Sequence, residues 1–339
     1  MFGGNNMENP KNKLTSIEIG SLWSTYMSAS LSRRVLQHFT EKMVDKEMQQ
    51  IIENAFNLSV QHLQSIEEIF KSEGYPIPEG FTEGDVNPDV PRLFSDTFCL
   101  VYVKHMANYG LRNYGTYYSY SSDQRTLNFF EQALMKTIKL QDQSTKLMLD
   151  KGVYSHAPKF SYPEHSSFIQ DEKYYLNIGL FTNDRPLNAV EIRHLYKSTI
   201  TNTIGGYLLL GFSQVADSQE VRDHMLKGKG ITDSHRETLN QKIKNENLDP
   251  PSFPDFEVTD STISPFLDKL MMGHVAFLAG IGISDYGIAM GQSQRSDLAF
   301  LFGKLITGSE RYAKNSAELA IKNKWLEQPP QFSDVQRSL

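Results

Sequence analysis

One cysteine, Cys99, is the only thiol in this 339-residue chain. No internal disulfide can form, and no cysteine-based metal site can be assembled within the chain. Cys99 lies in the apolar run Phe98–Val101 and reads as a small buried hydrophobe. An excess of positive charge is also missing. The formal net charge of -6 leaves no basic footprint for nucleic acid or anionic membrane. No stretch approaches the ~20 apolar residues of a membrane span. The nearest, "HVAFLAGIGISDYGIAM" at 274–290, is short, is interrupted by Asp285 and reads as a buried helix. The opening "MFGGNNMENPKNK" lacks the apolar core of a signal peptide, so the expectation is a cytoplasmic protein with a frayed start. Strand-type alternation with hairpin turns is absent. So are a Gly-rich phosphate loop, a nucleophile elbow and a paired-cysteine motif.

What is present is an ordinary globular mixture, 22% charged and 39% hydrophobic, in a chain long enough for about two domains. The chain also repeats itself. "LTSIEIGSLW" at 14–23 returns as "LNAVEIRHLY" at 187–196, an offset of 173 between Glu18 and Glu191. The same offset pairs Glu47 with Glu220 and His62 with His235. An offset near 172 pairs "PEGFTEGDV" (78–86) with "PPSFPDFEV" (250–258), Asp96 with Asp268, and "KGVYSHAPKF" (151–160) with "NKWLEQPPQF" (323–332). "SSDQR" ending at Arg125 is set against "GQSQR" ending at Arg295. Two homologous units are the economical reading. The expected division is an unstructured N-terminus (1–13), a first bundle (14–160), a linker (161–186), a second bundle (187–332) and a short tail (333–339).

Each unit reads as four helices. Thr15 with Glu18, and Asn188 with Glu191, have the spacing of a capping box, so the repeated phrase is a helix-start signal used once per unit. Ile19, Leu22, Trp23 and Tyr26 then form a stripe of helical period. On the second helix Met48, Ile52, Ala55, His62, Ile66 and Ile69 share a face, and Gly74, Pro76 and Pro78 mark its end. A proline-rich connection precedes a third helix over about 91–119 and a fourth over about 124–151. The predicted fold class is all-α: two tandem four-helix bundles of ferritin-like kind related by internal duplication. The two third helices differ. The first is aromatic (Tyr102, Tyr109, Tyr114, Tyr117, Tyr118, Tyr120), the second rich in small residues (Gly273, Ala276, Ala279, Gly280, Gly282, Gly287). Close approach of another helix, a pocket for an apolar ligand, or packing of large on small faces between the units would each explain the glycines.

The phrases "E-I-x-x-L-[WY]", "GFTEGDVN…RLFSD", "RPLNAVEI", "GFSQVA", "PFLDKLM" and "WLEQPP" give the chain a resemblance to a domain-of-unknown-function family of endospore-forming bacteria. The likeness runs over about 14–330. It implies two tandem ferritin-like bundles, a distant kinship with spore-coat-type proteins and an association with the spore. It carries no functional residue with it. The chain departs from the family pattern at Lys324, where glycine precedes the final Trp325, and the first unit ends in "KGVYSHAP" rather than "WLEQPP".

Ferritin-like di-iron sites take one Glu from each of two helices and a Glu-x-x-His pair from each of the other two. The only such pair here is Glu191–His194, on a first helix, so the full signature is missing. A weaker set remains. If each bundle ran up-down-up-down, helix rise would bring Glu18, His62 and Asp96 to one level, and likewise Glu191, His235 and Asp268. The fourth helix would add Glu318 in the second unit but Lys146 in the first. Such oxygen and imidazole ligands suit Fe, Mn or Zn. The competing readings are capping for the glutamates, first-turn dipole compensation for the aspartates and buried neutral imidazoles for the histidines. Two functional expectations follow. One is a non-catalytic structural or interaction protein, binding a protein partner or itself. The alternative is a metal-binding or oxidoreductase protein with an altered ligand set.

Overall fold

The computed structural model describes residues 13–159, 162–175 and 185–331. The expected N-terminal segment and the 333–339 tail thus lie almost wholly outside the described residues. Eight long helices appear among them: α1 (Ser16–Lys42), α2 (Lys46–Glu73), α3 (Asp96–Tyr120), α4 (Gln124–Asp150), α5 (Ala189–Val215), α6 (Gln219–Lys244), α7 (Asp268–Gln292) and α8 (Ser296–Lys322). The protein is all-α, and its two units are four-helix bundles.

Local chemistry explains the boundaries. Thr15 and Asn188 both close the capping boxes anticipated from their spacing to Glu18 and Glu191. Asp45, Ser95, Asp123 and Ser218 cap α2, α3, α4 and α6 with side-chain oxygens. Gly74 ends α2 in the left-handed region at φ 67°, where its N–H reaches back to carbonyls of the last turn. The third helix starts at Asp96, later than the expected 91, because Ser95 supplies the cap and Pro91 precedes it.

The order of the helices in each bundle follows from contacts at their ends. Glu18, at the start of α1, accepts from Ser122 and Asp123 N–H at the α3–α4 turn. Asp96, at the start of α3, accepts from Val44 and Asp45 N–H at the α1–α2 turn. Hence α1 and α3 are antiparallel, α2 and α3 are parallel, and the 74–95 connection runs the length of the bundle. Asp268 does the same for Asp217 and Ser218 N–H in the second unit. This is the single-crossover connectivity of ferritin-like folds, not up-down-up-down.

The two crossover connections meet. Isolated antiparallel bridges join Val86 to Phe266 and Phe94 to Val258. Asn87 N–H donates to Pro265 O and Thr259 N–H to Leu93 O, each at 2.9 Å. Leu267 N–H donates to Asp85 O at 2.9 Å and Ser95 N–H to Glu257 O at 3.1 Å. Shifting both residues of one pair by the repeat offset of 172, one forward and one back, generates the other pair, so the two units are related by a pseudo-two-fold axis. The axis passes by Tyr102 and His274, equivalent residues whose Oη and Nε2 lie 2.8 Å apart. The tails reciprocate as well. Glu327 accepts from Gly80 N–H at 2.9 Å, and its counterpart Ser155 accepts from Ser252 N–H at 3.2 Å.

One hydrophobic core runs through both units near this axis, with Phe39, Phe94, Phe98, Phe212, Phe256 and Phe266 at its centre. Two further clusters fill the far ends: Leu22, Ile66, Phe70 and Phe130 in the first unit, and Leu195, Leu239, Leu298 and Phe302 in the second. Cys99 is buried in the shared core, and burial pushes its thiol well above the ordinary range. Some of the α7 glycines also find their reason here. A side chain at Gly273 would collide with Phe81 of the first connection, and Tyr109 of α3 meets Phe277 of α7 edge-on. Gly280, Gly282 and Gly287 have no neighbour that a Cβ would meet within 4 Å, so close packing does not account for them.

The α4 and α8 starts are 172 apart, so Asp123 corresponds to Arg295 and Arg125 to Asp297. The Arg125–Arg295 pairing was two residues out of register. The ion pair is preserved with its charges exchanged: Arg125 bonds Asp123 and Glu73, while Arg295 bonds Asp297 and Glu246, the counterpart of Glu73.

Candidate functional site

Neither expected set, Glu18, His62 and Asp96 in the first unit or Glu191, His235, Asp268 and Glu318 in the second, comes together. Glu18 is consumed at one end of the first bundle. Its carboxylate accepts from Thr15, Ser122 and Asp123 backbone N–H groups, and against the opposing effect of burial these bonds hold it down at about 2. Glu191 sits at the matching end of the second bundle, fully buried, accepting from Asn188 and Arg295 N–H and paired with the Arg185 guanidinium at 2.7 Å. Burial opposes the charge there too, but these bonds win and lower its pKa. Asp96 and Asp268 serve the opposite ends, on the short helix turns. His62 is seventeen residues along α2 from Asp45, whose N–H bonds Asp96, a separation of about 25 Å at the rise of an α-helix. Eleven residues, about 16 Å, separate it from Glu73, which holds Arg125 beside the Glu18 end. The same spacings hold for His235, and Glu318 is exposed on the outer face of α8 beside Lys314. Lys146 is exposed as well. The crossover connectivity is the physical reason: it sends Glu18 and Asp96 to opposite ends of a helix roughly 40 Å long. Among the described residues no three His, Cys, Asp or Glu side chains are grouped as a metal site would require.

The histidines instead mark a different place. His62 and His235 each face a cavity inside their own bundle, at the boundary between the shared core and the bundle-end cluster. The cavities measure about 80 Å³ in the first unit and about 70 Å³ in the second. Their walls correspond almost residue for residue. Ser28, Leu36, Ala55, Ser59, Gly110 and Tyr114 line the first, and Thr201, Leu209, Gly228, Thr232, Gly282 and Tyr286 stand at the equivalent positions of the second. Among the described residues no charged side chain lines either one. Gly282 thus borders open space, which is why packing did not explain it.

In each cavity the histidine meets a tyrosine from the third helix. Tyr114 Oη lies 3.4 Å from His62 Nδ1, and Tyr286 Oη lies 3.1 Å from His235 Nδ1. Burial lowers both imidazoles to about 4 and raises both phenols far above their usual range. Both groups are therefore neutral at pH 7. Asn202 Nδ2–H donates to Tyr286 Oη at 2.6 Å, which leaves the phenolic hydrogen for His235 Nδ1. The imidazole then carries its proton on Nε2. His62 Nε2 is buried and has no hydrogen-bond partner among the described residues. The tyrosines are what the sequence reading missed as site residues. The signal was available, since Tyr114 and Tyr286 are 172 apart, but the contrast between a tyrosine-rich and a glycine-rich helix hid it.

The fold and its cavities define a class: a tandem, pseudo-two-fold pair of single-crossover four-helix bundles. The chain belongs to the family described as "Protein of unknown function (DUF3231)", whose model matches it twice, over residues 2–165 and 177–337. Among solved structures it is similar to a "putative spore coat protein" from Bacillus halodurans C-125, at 18% identity and a TM-score of 0.41, over 44% of this chain and 98% of that one. No curated protein matches it. Among the described residues no helix is long and apolar enough to cross a membrane.

Proposed function

We propose that the protein is a non-catalytic interaction scaffold, which presents its outer helix faces to a protein partner or to further copies of itself. The reciprocal lacing of the two crossover connections supports this reading. Four backbone hydrogen bonds, two tail caps and a common aromatic core bind the bundles into one body, so the geometry between outer faces is set. The carboxylates Glu18, Glu191, Asp96 and Asp268 hold helix ends. A location at the spore is proposed with it, on the family resemblance described above, and imaging of a fluorescent fusion through sporulation tests that part.

The scaffold reading is tested by purifying the full chain without a histidine tag, measuring bound metal, and assaying turnover of dioxygen and hydrogen peroxide before and after iron loading. Substoichiometric metal and no turnover are expected. Stoichiometric metal with turnover overturns the proposal. Light scattering across a concentration series, followed by crosslinking in cell extract, should show self-association or one partner. A strictly monomeric protein with no crosslinked partner would count against it.

A further inference from the structure

We infer that the groove between α1 and α3 of the first unit is a binding site for a neutral polyhydroxylated molecule, a cyclic polyol or monosaccharide, which lays its carbon-bound hydrogens on tyrosine rings and its hydroxyls between two polar ladders. The groove holds an open space of about 60 Å³ that ends on Phe277 of the second unit. It adjoins the His62 cavity but does not draw on that imidazole. Ser24, Ser28 and Ser32 stand four residues apart along one face of α1, and Tyr109, Asn113 and Tyr117 stand four apart along the facing side of α3. Four helical residues rise about 6 Å, so each wall repeats its polar groups at about that interval. The second unit lacks these ladders. Lys197, Gly205, Ile281, Asp285 and Ala289 stand where the first has Ser24, Ser32, Tyr109, Asn113 and Tyr117, and Lys197 and Asp285 close on each other at 2.8 Å. The site therefore occurs once per chain.

The polar groups of the two walls are open rather than enclosed. Among the described residues Ser24 Oγ, Ser32 Oγ and Tyr117 Oη make no hydrogen bond to the protein, and none of the three is sealed from solvent. The Asn113 amide donates to Tyr109 Oη, which leaves the Asn113 carbonyl oxygen and the Tyr109 O–H unused. The Thr25 and Ser28 hydroxyls donate to Ser21 O at 2.8 Å and Thr25 O at 3.0 Å, so they offer lone pairs only. Tyr114 Oη, on the floor, lies 3.4 Å from His62 Nδ1. The groove thus presents donors and acceptors interleaved, a pattern that matches ligand hydroxyls, which do both, and not a carboxylate or an ammonium, which do one. Among the described residues no charged side chain lines it, so an ionised ligand would be desolvated without a counter-charge. The tyrosines add broad apolar ring faces, and Phe277 meets Tyr109 edge-on with centroids 4.9 Å apart. The volume sets how much is taken in. A cavity of about 150 Å³ admits benzene, so about 60 Å³ takes one edge of a six-membered ring and leaves the other in water.

The test uses the full chain with 13C-labelled tyrosine rings and three probes: myo-inositol, D-glucose and cyclohexanol. Cyclohexanol has the carbon ring of myo-inositol with a single hydroxyl. Saturation-transfer NMR reads the probe, and the ring signals of Tyr109 and Tyr117 read the protein. At least one of myo-inositol and D-glucose should bind saturably at one site per chain, with a dissociation constant of about 1–10 mM, the range open to a ligand of about twelve heavy atoms at ordinary efficiency. Cyclohexanol should bind at least tenfold more weakly. Tyr117→Phe, which removes a hydroxyl and keeps the ring, should weaken the polyol at least threefold, and Ser32→Ala should act alike from the other wall. Ser24→Lys together with Asn113→Asp installs the pair that fills the second unit and should abolish binding, with far-ultraviolet circular dichroism unchanged. Absence of a saturable response to both polyols up to about 100 mM overturns the inference. Cyclohexanol binding as tightly as the polyols shows a merely apolar groove and refutes the role of the ladders. Binding that Tyr117→Phe and Ser32→Ala leave undiminished places the probe elsewhere and overturns the inference equally.

Discussion

Acidification should unfold this protein well above the pH at which its carboxylates titrate. Four imidazoles are deeply enclosed. Burial lowers His38, His62 and His105 to about 4 and His274 to about 3. Lys42 and Lys136 add to the effect at His38 and His62. In the unfolded chain each returns to about 6.5. The folded pKa is the lower one, so the unfolded state binds more protons at any pH below about 6.5, and stability falls as pH falls from there toward 4. Between pH 7 and 5.5 each such histidine costs about 1.2 kcal/mol, and four cost about 5 kcal/mol. That equals the lower end of the stability of ordinary domains, about 5–15 kcal/mol. Glu18 and Asp297, both held near 2, remain ionised throughout that window and contribute only at lower pH. The assay is denaturant unfolding followed by far-ultraviolet circular dichroism at half-unit steps from pH 7.5 to 5, with imidazole titration by NMR in parallel. A loss below about 1 kcal/mol by pH 5.5 would falsify the claim that these imidazoles are buried neutral, because their linkage cannot be smaller than that.

Three further outcomes are expected. Thr15→Ala and Asn188→Ala should each destabilise by about 0.5–2 kcal/mol, the usual worth of an N-cap, measured by chemical denaturation; null effects at both sites would mean that the capping boxes are not formed. Exchanging Asp123 and Arg125 gives the first unit the charge order of the second. The single change Arg125→Asp should cost about 1–3 kcal/mol by leaving Glu73 beside unpaired acid, and the double change should recover at least half of that; no recovery would refute the equivalence drawn between the two pairs. Gly273→Ala should cost about 1–3 kcal/mol through overpacking on Phe81, and Phe81→Leu in the same chain should relieve part of it. A neutral Gly273→Ala would show that this contact between the units is loose.

The helices were legible because their signals are local. Thr15 and Glu18, Asn188 and Glu191, and Gly74 after the Met48–Ile69 stripe each speak of one turn of chain, and the structure honours them. The duplication was legible because a repeat needs no geometry. The relative direction of α1 and α3 was not, since it depends on where a proline-containing connection of some twenty residues leads. That one unknown decided whether Glu18, His62 and Asp96 shared a level or stood at different heights in the bundle. The register of α4 against α8 failed for a related reason: Arg125 and Arg295 look alike, whereas what the fold keeps is an arginine within reach of Glu73 or Glu246 and an aspartate two residues away. Tyr114 and Tyr286 were visible as letters, but only a third dimension puts them against His62 and His235.

The pseudo-symmetry also explains where the two halves are free to differ. Positions beside the axis meet their own counterparts, so a change there alters one contact with two different faces. Tyr102 meets His274, and the pair tolerates unlike residues because hydroxyl and imidazole bond each other. Farther along, symmetry relates Ser24 and Asn113 of the first unit to Lys197 and Asp285 of the second. In the first unit these small polar residues border the extra space that reaches Phe277. In the second, Asp285 is buried between Lys197, at 2.8 Å, and Arg112 of the first unit. A buried carboxylate needs such partners, and removing one is far costlier than never having had the group. The second unit has therefore exchanged space for an ion cluster that ties α5 and α7 to α3, while the first has kept the space. The His–Tyr pair is common to both. Divergence has thus altered what lies beyond the pair and left the pair and most of its cavity walls in place.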